Sequence, residues 1–394
     1  MFKNTLNLFQ KCRFGVTLTR VNDVQFKNLY SQAALGIDNY VRNRERIQGQ
    51  FTNMLDTFKS KMSDFVVPSS MNMIFTEDLK NMIHVAESNS HDIDLVVKMM
   101  IKFNKQNKDL RFGSFVFGPV VMRMFHYLDD PNTALQCFLD PELAGFFDQV
   151  SSYQILMDLL LEHDRYEDIL KVYDHVKKQQ IQGLRHPKNI VVLVCAACYK
   201  KNTEESFKYA CEFWAELISV GHQPMRRAAT FVASLALNHN NPNVALEVLS
   251  NTKQQNYMTV RNLKAVALAQ LGRHEDALGL LRSVVNTDST LDKKGTFAKD
   301  SIEKISMIIK STNNKDLVNE FTSIEKYLIE NGHLTDDSLH DLLNSEIALV
   351  QQNLNRNAMY QHNIKMQNYY KGNSGNYNKF NNNKLRRPGI TDMY

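Results

Sequence analysis

Cys195 and Cys198 come nearest, by residue type and spacing, to a chemical site in this chain. A CxxC pair can ligate a metal, and Cys211 adds a third thiol. A closed metal site needs a second ligand pair, and His186, His222 and Cys211 do not supply one by spacing. The pair sits on a helical stretch with Val191, Val192, Val194 and Ala197, which assigns both thiols to a core in a reducing compartment. His84, His126, His163, His175, His239 and His274 are scattered over separate helices or turns. The sequence has no nucleophile elbow, Walker loop, dinucleotide fingerprint or HExxH, and no paired acidic ligands of a metal nuclease stand out. The expectation is a protein without catalysis, cofactor, metal site or small-molecule substrate.

Cations carry the other candidate chemistry. Arg111, Arg185 with Lys188, Arg226 with Arg227, and Arg261 with Lys264 recur at or near the starts of successive apolar helical segments. A cation returning at the same edge of repeated units is the footprint of a phosphate track. Solvated charges at loop edges give the same pattern, and the sequence leaves both readings open.

The segments that must position these residues are helical. Residues 151–184 hold two amphipathic stretches hinged at His163-Asp164-Arg165. One carries Ile155, Leu156, Leu159 and Leu160, the other Ile169, Leu170, Tyr173 and Val176. One hairpin cannot bury both stripes, so it must stack on others. A small or aliphatic residue followed by an apolar one recurs at Ala134-Leu135, Ile169-Leu170, Ala210-Cys211, Ala245-Leu246 and Ala277-Leu278, in steps of about 35, 41, 35 and 32 residues. Turn signals fall between the helices, at Asp129-Asp130-Pro131, Lys201-Asn202-Thr203, Asn240-Asn241-Pro242 and Leu271-Gly272-Arg273. No stretch alternates as a strand would. The fold class read here is all-α, an α-solenoid of helix-turn-helix repeats.

The 394 residues are 43% hydrophobic with a formal net charge of +5, enough apolar content for a continuous core and mildly suited to a polyanion. No apolar run approaches a membrane span. Residues 1–30 are basic, hydroxylated and nearly free of acids, the composition of a mitochondrial presequence, with cleavage expected between Arg13 and Ser31. Residues 31–75 read as a helical extension and spacer, 76–290 as the repeats, and 291–352 as helices capping the array. Residues 353–394 are Asn-rich and too poor in apolar side chains for a core, so disorder is expected there.

Residues 151–184 resemble the pentatricopeptide repeat without gaps, with Tyr153, Leu156, Met157, the break at Asp164-Arg165, Leu170 and Tyr173 in place. Residues 260–285 are similar to the same repeat and equally to the peptide-binding tetratricopeptide repeat. Longer segments, FGPVVMRMFHYLDD, LAGFFDQVSSYQILMDLLL, CYKKNTEESFK and RRAATFVASLALNHN, resemble an animal mitochondrial group of the pentatricopeptide repeat family. That resemblance implies a matrix protein that binds single-stranded mitochondrial RNA and acts in mRNA maturation, supporting the respiratory chain with no enzymatic activity. RNA-processing proteins are further candidate partners, and a protein scaffold of the tetratricopeptide type is the alternative. The family's base-reading positions map onto Gln154 with Leu184 and onto Asn262. Gly118 and Val232 stand at equivalent places and cannot hydrogen-bond a base, so no base-by-base code is expected.

Overall fold

A computed structural model describes residues 29–110, 115–180, 183–285 and 296–348. Nearly all of the proposed presequence, Arg111 and the Asn-rich tail lie outside these residues. The described part opens with α1 (Gln32–Leu35), α2 (Ile37–Phe51) and α3 (Leu55–Val66). Helical hairpins follow: α4 (Thr76–Val85) with α5 (Ser90–Leu110), α6 (Gly118–Leu128) with α7 (Pro131–Leu139), and α8 (Val150–Glu162) with α9 (Tyr166–Gln179). Next come α10 (Lys188–Lys201) with α11 (Glu204–Ser219), α12 (Arg226–Asn238) with α13 (Pro242–Ser250), and α14 (Met258–Gln270) with α15 (His274–Val285). Strand β1 (Phe297–Ala298) precedes α16 (Lys299–Ser311) and α17 (Lys315–Glu330), and β2 (Leu334–Thr335) precedes α18 (Leu339–Asn344). The first helix of each hairpin packs on the first helix of the next, from α6 through α16. The protein is an α-solenoid.

Backbone geometry shows why the hairpins turn where they do. Asp129, Asp164, Asn202, Asn240, Gly272 and Asn313 all have positive φ and sit between the two helices of a hairpin. Asn, Asp and Gly are the residues that tolerate this left-handed conformation. In four of these turns the amide after the left-handed residue reaches back to a helix carbonyl: Asp130 to Phe125, Arg165 to Leu160, Asn241 to Ala236 and Arg273 to Leu268. Asp130 then caps the next helix by accepting from the Thr133 amide at 3.0 Å, with Pro131 as the first helical residue.

Two features go beyond the helical periodicity. Helices α16 and α17 were expected only as caps, yet they stack on α14 and α15 as a further hairpin. A two-residue parallel pairing of β1 with β2 also appears, too short to show any alternation in sequence.

Helices α8, α10 and α12 are buried on every side, through Ser152–Leu161, Ile190–Tyr199 and Ala228–Leu237. Neighbouring first helices and the second helices cover three sides. The first and last described segments cover the fourth: α1 packs on α8, α2 on α4 and α6, and α18 on α12 and α14. The two ends meet where Tyr30 pairs in parallel with Ile347, the Ile347 amide donating to Leu29 at 2.8 Å and the Ser31 amide to Ile347 at 3.1 Å. Leu29 and Tyr30, read from sequence as the end of the presequence, are thus packed into the folded body.

Candidate nucleic-acid interface

Because the first helices stack side by side, their opening turns collect along one edge. Lys188 is the first residue of α10 and exposed, and Arg226 is the first residue of α12. The Arg226 guanidinium lies 3.1 Å from the ring centre of Tyr257, which precedes α14 and is 46% exposed. Arg261 follows one turn into α14 and is half-buried. His222, in the loop before α12, is held below the ordinary imidazole range by burial, with the Lys188 charge adding to it. Cations here are reinforced by the partial positive charge of helix amino termini. The edge offers charge for phosphates, and the Tyr257 ring with its guanidinium offers a flat surface for stacking.

The inner face is closed. The Tyr30 amide donates to Asp158 Oδ1 at 3.3 Å, and its hydroxyl donates to the Asn189 carbonyl at 3.2 Å. Gln154 is buried beneath, accepting from Asn189 Nδ2 at 3.0 Å, while Leu184 is 48% exposed. Gly118 has a packing reason: a Cβ there would meet Ser152 Oγ at 2.7 Å and the Phe146 carbonyl at 2.9 Å.

The remaining sequence candidates have diverse placements. Arg227 caps the end of α18, donating to the carbonyls of Leu342 at 2.9 Å and Leu343 at 2.7 Å and to Ser345. Asn262 has no exposed surface. Its amide donates to Met258 at 2.8 Å and Thr296 at 3.3 Å, and its oxygen accepts from Ala298 at 3.0 Å, so it holds β1 in place. Arg185 is exposed and pairs with Glu216 at 2.8 Å. Lys264 faces a groove between α13 and α15 with Leu246, Leu268 and Arg273. The structure therefore sets Arg226 on Tyr257, leaves Lys188 and Arg261 in the opening turns of the neighbouring first helices, and engages Gln154, Arg227 and Asn262 in contacts within the chain. Tyr257 went unnoticed in the sequence; an aromatic one turn before Arg261 was its only signal.

Cys195 and Cys198 are free and buried, as their apolar surroundings implied. Burial pushes the Cys198 thiol up to about 12 and Cys195 well above the usual range.

Stacked hairpins with left-handed turns define a helical-repeat α-solenoid. No family model matches the chain. It is similar to Pentatricopeptide repeat-containing protein 2, mitochondrial, of Mus musculus, at 31% identity over 272 residues, covering 69% of this chain and 70% of that protein. The Homo sapiens protein of the same name is 29% identical over 69% of each chain. The Xenopus laevis protein is 28% identical over 294 residues, 74% of this chain and 75% of that protein. The chain belongs to the pentatricopeptide repeat-containing protein 2 family.

Proposed function

We propose that this protein works in the mitochondrial matrix by binding single-stranded RNA along its cationic edge, acting in mRNA maturation that supports the respiratory chain, without an enzymatic activity of its own. The family name, with its word mitochondrial, and the basic composition of residues 1–30 support the location. One observation carries the RNA reading: Arg226 stacked on exposed Tyr257, with Lys188 and Arg261 at neighbouring helix starts. Arg111, Arg185 and Lys264 stay within the proposed binding set as further cations. Gln154, Arg227 and Asn262 are occupied within the chain, so phosphate contacts dominate and preference between unrelated sequences stays modest, about tenfold or less.

The test is RNA binding by the purified chain over a range of salt. Affinity should fall linearly on a log–log plot, and Lys188→Glu with Arg226→Glu should reduce the slope. Arg227 is left intact, because its loss would release α18. A scaffold reading is favoured by the mild net charge and by base-reading positions that are apolar or buried. It replaces the RNA reading if the chain ignores RNA at low salt yet retains a respiratory-chain protein from mitochondrial lysate. Import is tested by removing residues 1–28, which spares Leu29 and Tyr30; efficient import of the shortened chain would place the signal elsewhere.

A further inference from the structure

His126, in the last turn of α6, faces Asp158 and Glu162, which stand one turn apart on α8. Its Nε2 lies 3.4 Å from Asp158 Oδ2 and 3.3 Å from Glu162 Oε1. The side chains of His126, Asp158 and Glu162 are 6%, 0% and 16% exposed. Neither the repeat packing nor the RNA edge makes use of this group. Sequence spacing hid it, because the histidine comes from a different hairpin.

The distances decide what the cluster suits. Charge-assisted N–H···O bonds run at about 2.7–2.9 Å, and one imidazole N–H points along one line, so it cannot serve two carboxylate oxygens well. Ligands held at about 2.0–2.1 Å around a tetrahedral ion stand roughly 3.3–3.4 Å from one another, which is the spacing of His126 from both carboxylates. Glu162 Oε1 is a buried oxygen whose near neighbour His126 Nε2 does not meet it in hydrogen-bonding geometry, which leaves it short of a partner. Asp158 Oδ1 accepts the Tyr30 amide, the kind of second contact that orients a ligating carboxylate. Charge balance agrees: an imidazolium with two carboxylates leaves one net negative charge under cover, whereas a divalent ion with neutral imidazole leaves none.

We propose that His126, Asp158 and Glu162 form a zinc site that ties α6 to α8 beneath the Tyr30 segment. One imidazole with two carboxylates suits borderline Zn²⁺, and the partial exposure of Glu162 leaves a fourth position for water. A proton is the rival occupant. Burial opposes an imidazolium here, and the two carboxylates outweigh it, lifting His126 to about 9.

The full chain, stripped with chelator and titrated calorimetrically with Zn²⁺, should take up one ion. Co²⁺ in its place should give the visible absorption of a tetrahedral site. Glu162→Gln and His126→Gln, checked for unchanged helical content, should each weaken Zn²⁺ by roughly 100-fold or more, beyond the usual cost of losing an outer-shell partner. Exchange of the Tyr30 amide should slow on zinc addition, since it donates to a ligand. No uptake, or native affinity in both variants, overturns the proposal. So does a histidine ¹⁵N spectrum of the native chain with Zn²⁺ in which both ring nitrogens of His126 carry protons, an outcome that assigns the cluster to a buried ion triad.

Discussion

The inner face under the chain ends and the edge at the helix starts are built from the same first helices, yet they differ in what their polar groups are free to do. On the inner face Gln154 binds Asn189, and Asp158 and the Asn189 carbonyl bind Tyr30. On the edge Lys188 is exposed and Arg226 spends its charge on an aromatic face that remains half open. A polar side chain advertises binding only when folding has not already satisfied it. By that criterion the proposed RNA contacts belong to the edge and not to the face.

Tyr30→Ala should show the largest effect, since it empties the space between the ends and α8 and α10. A loss of about 3–5 kcal/mol by chemical denaturation is expected, as for other buried aromatics, with RNA affinity at a permissive temperature unchanged. A rise in RNA affinity instead would place the RNA on the uncovered inner face and undo the contrast. Lys188→Glu with Arg226→Glu should do the opposite. RNA affinity near 0.1 M salt should drop about 100-fold, while the denaturation midpoint moves little.

Asn262→Ala should sharpen the distinction further. It leaves the Thr296 carbonyl and the Ala298 amide without a partner and should cost about 1–3 kcal/mol, with no change in base preference on a panel of RNAs. The smallest effect concerns pH. Burial would raise Asp92, but the Lys59 ammonium at 2.6 Å and the Glu87 amide at 3.0 Å outweigh that and hold it below the usual carboxylate range. A depressed carboxyl stabilises the fold above its unfolded pKa and loses that contribution as pH falls through its folded one. Lys59→Met should therefore lower the urea midpoint at pH 7 and make progressively less difference below about pH 4.

What was legible in sequence is local. Asp129, Asn202, Asn240 and Gly272 mark turns because left-handed backbone selects those residue types, and the left-handed turn position falls on each of them. The apolar stripes of α8 and α9 follow from helical period. Contacts distant in sequence left no such trace: Tyr30 on Asp158 and Asn189, Arg227 on the end of α18, and Asn262 on β1 each join residues at least 34 apart in the chain. Lys, Arg and Asn at helix starts look alike in sequence whether folding consumes them or leaves them open. That is why the candidate cations divided only once their partners were known.

The pairing of Tyr30 with Ile347 has a consequence for how the array comes apart. An open stack of repeats touches only its nearest neighbours, so its terminal units fray first and unfolding can creep inward. Here the first and last described segments hold each other, and neither terminal unit can loosen without releasing the other. The join trades the rapid, local folding of a linear array for a late contact between distant parts of the chain, whose closure is entropically costly and slow. What it favours in return is cooperativity, because modular units tied at both ends are expected to melt together.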